Sequence, residues 1–195
     1  MVLPMSYWKF SEREILQHYG AIADAISLPI MVYNNPATSG IDLLPKFIMQ
    51  MAKAIPNVTM VKESTGDIQR MHRLQELSDG TLRFYNGSNP LALVSFAAGA
   101  SGWCTAAHHL IPDLTLALYN AMLVNDLANA QQIFDQQLPL LQFIVSHHLP
   151  ATIKAGLKLL GLDVGVPRLP LLALEKTAVQ NLEAILNQVR IQPLT

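Results

Sequence analysis

The chain has 195 residues, of which 51% are hydrophobic and 14% charged, a composition that excludes intrinsic disorder and demands a large buried core. A formal net charge of −1 offers no electrostatic footprint for nucleic acid or an anionic membrane surface. A single cysteine excludes a disulfide framework and a cysteine-rich metal site.

In chain order, Val2-Leu3 reads as the tail of a strand, Pro4 to Phe10 as a loop, and Ser11 as the N-cap of a helix. Glu14 completes a capping box with Ser11. Leu28 to Tyr33 is rich in strand formers and stops at Asn34-Asn35-Pro36. A helical pattern runs from Leu43 to Ala54. Asn57 to Lys62 is the next strand, ended by Glu63-Ser64-Thr65-Gly66, after which Asp67 caps a helix to about Leu77. Thr81 to Asn86 forms a third strand, closed by Gly87-Ser88-Asn89. A small-residue helix from Pro90 to Ala98 and a short strand from Ala100 to Thr105 follow.

Four repeats of strand, loop and helix predict a parallel sheet with right-handed crossovers, and strand interiors apolar throughout suit a sheet covered on both faces. From Pro112 the spacing turns helical, over Leu114–Val124, Leu127–Ser146, Thr152–Leu160 and Leu172–Val189, with Leu149-Pro150 among the separators. The expected organisation is a partial (β/α) barrel over residues 1–111 and a helical region over 112–195. Phe84 to Pro112 carries no charged side chain, but a spanning helix needs ~20 apolar residues in a row, and Gly87-Ser88-Asn89-Pro90, Gly99 and Gly102 break the run. No membrane span and no targeting segment is read, so a cytoplasmic protein is expected.

In parallel sheets and barrels, sites gather at the carboxyl ends of the strands. The polar groups there are Tyr33, Lys62, Asn86 to Asn89, and Cys104-Thr105. If Tyr33 and Lys62 both point inward, a phenol and an amine face one cavity. Apolar neighbours such as Val58, Met60 and Val61 would then disfavour the charged form of the amine, and a neutral amine is the nucleophile that carbonyl chemistry requires. On spacing alone, a strand-end lysine is more often a solvated surface charge and a tyrosine more often a core aromatic. Neighbouring histidines point apart, so His108-His109 and His147-His148 make poor chelates and no metal site is expected. Cys104 has no nearby cationic partner in sequence and reads as an inert buried thiol. Gly87-Ser88-Asn89 could offer backbone N–H groups to an anion, or be a simple turn.

Tyr33-Asn34-Asn35-Pro36-Ala37-Thr38-Ser39-Gly40 and Val61-Lys62-Glu63-Ser64-Thr65-Gly66 resemble the dihydrodipicolinate synthase / N-acetylneuraminate lyase family. The likeness continues through Gly87-Ser88-Asn89, Ala98 to Gly102, and Lys154 to Leu162. It implies a TIM (β/α)8 barrel, here truncated to about strands 4/5 to 8, with a C-terminal helical layer and a homo-oligomeric assembly. It also implies cofactor-free, class I lyase chemistry on pyruvate or another 2-oxo acid. On that pattern Lys62 forms the Schiff base and Tyr33 shuttles the proton. Tyr7, in Ser6-Tyr7-Trp8, matches the family tyrosine that reaches across a subunit interface. Gly87, Ser88, Asn89 and Cys104 fall where the family lines its 2-oxo acid pocket.

Two departures qualify the likeness. The family's Gly-Thr-Thr-Gly-Glu segment has no counterpart here, so Met1 is expected to be an internal methionine of a longer ancestral protein. Thr38 stands where dihydrodipicolinate synthases carry an arginine that reads the second substrate's carboxylate, and a threonine cannot form that bidentate pair. Sugar-acid or hydroxy-acid catabolism is therefore expected in place of lysine biosynthesis. Two alternatives stand beside this: a catalytically impaired half-barrel that binds a partner or self-associates, and an α/β module binding a small anion at Gly87-Ser88-Asn89.

Overall fold

The first helix begins where the capping chemistry places it. In the computed structural model, which describes residues 1–189, α1 spans Glu12–Ala25. The Glu14 carboxylate accepts from the Ser11 N–H at 2.7 Å, while Glu14 N–H reaches back to Ser11 Oγ. Then follow β1 (Ile30–Asn34), α2 (Pro36–Ser39), α3 (Pro45–Ala54), β2 (Val58–Glu63), α4 (Ile68–Ser78), β3 (Arg83–Asn86), α5 (Ala92–Ala97) and β4 (Gly102–Trp103). Helices α6 (Pro112–Leu123), α7 (Leu127–Ser146), α8 (Leu149–Leu159) and α9 (Lys176–Gln188) complete the order.

Strand order and the longer helices match the sequence reading, the four-residue helix α2 is an addition where a turn is expected, and several bounds move for local reasons. Pro45, with no N–H to donate, sits in the first turn of α3, so Leu43 and Leu44 lie ahead of the helix. The same holds for Pro150, which opens α8 and does not separate it from what precedes. Helix α9 starts at Lys176, four residues beyond the expected Leu172. β4 shrinks to two residues, and a single turn of 3-10 helix (Asn89–Leu91) precedes α5. Asp67 caps α4 as expected, accepting from Gln69 N–H at 2.9 Å.

The four strands form one parallel sheet in the order β1-β2-β3-β4. Val2 joins it by a parallel bridge to Val32, with Val2 N–H donating to Met31 and Tyr33 N–H to Val2. Pairing aligns two rows across the sheet. One is Val32–Val61–Phe84, continued two residues on by Asn34–Glu63–Asn86; the other carries Tyr33–Lys62–Tyr85. Successive strand residues point to opposite faces, so these rows belong to opposite sides. The first side is the core. Val32 and Val61 are fully buried against Tyr19 of α1, Ile48 and Met51 of α3, and Met71 and Leu74 of α4.

The chain divides into two compact units, Met1–Cys104 and the remainder from Thr105. Within the second, α6 packs on α7, and α9 packs on both α7 and α8. Leu118, Ala130, Leu140, Leu141 and Leu182 are fully buried there. The last six residues of the region expected over 112–195 lie outside the described residues. No helix among the described residues is long and apolar enough to cross a membrane.

Leu74 fills the layer between sheet and helices with 0% exposure, whereas Leu28 is 67% exposed. Urea unfolding is expected to show Leu74→Ala destabilised by ~2–5 kcal/mol. Leu28→Ala should change stability by less than ~0.5 kcal/mol.

Candidate active site

Because the strands are parallel and in register, their carboxyl ends present one row of side chains: Tyr33, Lys62, Tyr85 and then Gly102. All three side chains in that row are half-buried, unlike the fully buried row behind them. Lys62 Nζ lies 4.2 Å from the centroid of the Tyr33 ring. The phenol and the amine that the sequence places one repeat apart are therefore brought together on adjacent strands.

Gly87 explains how the lysine lies there. A Cβ at position 87 would sit 1.7 Å from Ser64 Oγ and 2.7 Å from Lys62 Cε. The space above that glycine is already taken by the lysine chain and the serine hydroxyl, so no other residue fits without displacing them. Gly102 is a second close approach: a Cβ there would stand 2.9 Å from two atoms of the Tyr85 ring.

The Tyr33 hydroxyl accepts a hydrogen bond from Asn35 Nδ2 at 3.1 Å. Burial is the largest single influence on its acidity and pushes the phenol up. The Asn35 hydrogen bond, the Lys62 charge, and polar contact with Lys62 and Ser64 together outweigh it, and Tyr33 sits below the ordinary phenol value. Ser64 Oγ is buried beside the phenol and the lysine chain. Burial pushes the Cys104 thiol up while the Lys62 charge pulls it down. Cys104 thus senses the lysine, although nothing in its sequence neighbourhood is cationic.

The remaining site candidates are placed less uniformly. Ser88 is held beside the strand ends, its N–H donating to Asn86 Oδ1 at 2.9 Å while Asn86 Nδ2 donates to the Ser88 carbonyl at 2.8 Å. Asn89 is buried at the start of the 3-10 turn. Thr38 is exposed in the short helix α2, with its N–H donated to the Asn35 carbonyl at 3.1 Å. Tyr7 is 93% exposed, and its ring packs edge-on against Trp8. Among the described residues no group of three His, Cys, Asp or Glu side chains is placed to hold a metal ion.

Sequence reasoning passes over three residues that the structure brings forward. Asn35 is the phenol's hydrogen-bond donor, Ser64 shares the lysine's space, and Glu63 is a carboxyl with 0% exposure directly behind it. The available signal was the pair of adjacent polar residues, Tyr33-Asn34 and Lys62-Glu63, closing two otherwise apolar strands. Period-2 alternation sends one member of each pair to either face.

If the fit over Gly87 holds the lysine against the phenol, Gly87→Ala must push it away and weaken its pull on Tyr33. NMR titration of 13C-labelled tyrosine, with Tyr33→Phe for assignment, is expected to show the Tyr33 pKa rising. Gly20→Ala, where nothing lies within 4 Å of the added carbon, should leave it in place.

The sequence model of the dihydrodipicolinate synthetase family matches residues 1–189. A 4-hydroxy-tetrahydrodipicolinate synthase from Exiguobacterium is 32% identical over 188 residues, covering 96% of this chain and 64% of that protein. The Fervidobacterium nodosum enzyme of the same name is 28% identical, with 98% and 65% covered. Among solved structures, a Pseudomonas aeruginosa protein assigned provisionally as a dihydrodipicolinate synthetase superposes with a TM-score of 0.95. It is 55% identical, over 96% of this chain and 65% of that one. Dihydrodipicolinate synthase from Cyanidioschyzon merolae, solved with lysine bound, has a TM-score of 0.91 at 27% identity, covering 96% of this chain and 64% of its own. The chain thus spans somewhat under two thirds of the length of these relatives. With the parallel sheet of an α/β barrel, a lysine and a tyrosine paired at its strand ends, and a family match running from residue 1 to residue 189, the chain belongs to the dihydrodipicolinate synthetase family.

Proposed function

We propose that the chain carries the Schiff-base centre of a class I lyase acting on pyruvate or a related 2-oxo acid. The observation that supports this most is the Lys62 amine 4.2 Å from the centroid of the Tyr33 ring. Lys62, whose charged form acts on the Tyr33 phenol, first gives up a proton, and the lone pair of the freed amine then attacks the keto carbon to form the new C–N bond. The carbonyl oxygen takes up protons and leaves as water, giving the imine. The protonated imine then draws in the bond pair of the adjacent carbon, so that a proton or a C–C bond there can be lost or gained, and the enamine so formed can expel a hydroxyl from the next carbon along. Tyr33, more acidic than an ordinary phenol, is suited to pass the proton to and from the substrate. This route asks for no cofactor.

Substrate choice follows from Thr38. An exposed threonine at that position offers one hydroxyl where an arginine would clamp a carboxylate with two parallel N–H donors. That favours a sugar-acid or hydroxy-acid substrate over the aldehyde used in lysine biosynthesis. Tyr7 is proposed to act in a neighbouring copy. Its exposure, with that of Met5 (69%) and Trp8 (73%), provides an apolar surface for a homo-oligomeric contact. The alternative in which the chain serves as a partner-binding half-barrel without turnover draws on its coverage of 64–65% of the curated relatives.

Borohydride reduction in the presence of pyruvate tests the proposal. The native chain is expected to gain one reduced pyruvyl adduct mapping to Lys62, and Lys62→Ala to gain none. An adduct spread over other lysines, or none at all, would reject the lyase centre and favour the partner-binding reading. Exchange of the pyruvate methyl protons in heavy water, followed by NMR, then isolates Tyr33. Tyr33→Phe should slow it by at least ~100-fold, the usual scale for one general acid–base group.

A further inference from the structure

Behind the row that holds Tyr33 and Lys62 lies a second row of polar residues, on the face of the sheet turned to the core. Asn34, Glu63 and Asn86 are aligned across β1, β2 and β3, and each has 0% exposure. They stand two residues beyond Val32, Val61 and Phe84, where the apolar core ends. Polar groups so deeply buried persist only when their hydrogen bonds are made, and theirs are made to the loops that leave the strands.

Each member holds its own loop. Asn86 grips Ser88 by both backbone groups. Glu63 Oε1 accepts from Thr65 N–H at 2.7 Å. Asn34 Oδ1 accepts from Leu43 N–H at 2.9 Å, closing the loop that contains Asn35 and Thr38. Glu63 also links two strands, because its Oε2 accepts from Asn34 Nδ2 at 3.0 Å. Asn34 Nδ2 further reaches Asp42 Oδ1 at 3.3 Å, and Asp42 takes a bidentate pair from Arg70 of α4 at 2.7 and 2.6 Å. The chain Thr65–Glu63–Asn34–Asp42–Arg70 therefore ties the ends of β1 and β2, the β1 loop and α4 into one network.

Asn35, the donor to the Tyr33 hydroxyl, is the first residue of the loop so closed. Its carbonyl accepts from the N–H groups of Thr38 and Ser39, so the loop turns as a unit. Releasing Asn34 frees that unit at both of its ends.

We propose that Glu63 is a positioning residue of this site: its buried carboxyl orients the Asn34 amide, which fixes the β1 loop and thereby keeps Asn35 on the Tyr33 hydroxyl and Tyr33 opposite Lys62. The inference rests on the lyase reading for its meaning, and its test does not require turnover. Glutamine at position 63 keeps the shape but turns an NH2 group toward one of two donors, Asn34 Nδ2 or Thr65 N–H, and so breaks one of the two bonds.

The groups acting on the Tyr33 phenol are Asn35 from its own loop and Lys62 and Ser64 from β2. With the native chain and 13C-labelled tyrosine, Glu63→Gln is expected to shift the Tyr33 titration upward, toward an ordinary phenol. Circular dichroism should report an intact fold. Leu74→Ala, a core variant outside the network, should lose stability without moving that titration. Folded Glu63→Gln and Glu63→Leu proteins, the second with no acceptor left for Asn34, that both titrate Tyr33 as in the native chain overturn the proposal. Should Glu63→Gln fail to fold, Asp42→Ala decides, because the Asp42 side chain is 38% exposed and its loss cuts the network from outside. An upward shift of Tyr33 there supports the proposal, and an unmoved titration overturns it. If the native chain forms no borohydride adduct at Lys62, the lyase reading fails while this titration still judges Glu63.

Discussion

Register is the constraint on which the site depends. In a parallel ladder the strands all end on the same side, and a fixed pairing decides which residues stand abreast. Here Tyr33 pairs with Lys62 and Lys62 with Tyr85, while Asn34 pairs with Glu63 and Glu63 with Asn86. A slip of one residue would exchange the two rows. It would turn the lysine and the phenol into the core and send two asparagines and a glutamate to the open face. The apolar row Val32–Val61–Phe84, buried against helices, makes such a slip costly, since each of its side chains contributes roughly 1.5–3 kcal/mol by burial.

The two rows divide the labour between them. The half-buried row carries the groups able to do chemistry, and the buried polar row carries those that hold loops. Rigid strands beneath and tethered loops above are the arrangement that keeps reacting groups in place without support from flexible side chains. Such tethers are economical because a hydrogen bond within a dry region resists exchange with water, and an unmade one there costs about 1–3 kcal/mol.

Much of this was legible in the chain. Strand ends were marked by Asn34-Asn35-Pro36, Glu63-Ser64-Thr65-Gly66 and Gly87-Ser88-Asn89, because turn-forming side chains punctuate whatever precedes them. Helix α1 was legible from Ser11 and Glu14, and α4 from Asp67, since caps are local chemistry. Lys62 and Tyr33 could be singled out as strand-end polar groups. The direction of each side chain was not readable, because both faces of these strands carry apolar residues and alternation leaves no contrast. Glu63 and Asn34 were therefore passed over as turn residues, although they are more deeply buried than the lysine and phenol beside them. The role of Gly87 was equally hidden, since it arises from the lysine chain and serine hydroxyl crossing above it. Pro150 works in the opposite sense: by sequence Leu149-Pro150 reads as a separator of helical segments, whereas its missing N–H suits the first turn of α8.

Gly102 and Tyr85 stand side by side in the row that holds the lysine, and the ring of one occupies the volume a side chain of the other would need. A side chain at position 102 would have to displace that ring. Enlarging position 102 therefore calls for a smaller or shifted ring at position 85, which couples the two sites. Mutational scanning of either one alone would underestimate how much variety the pair can accommodate.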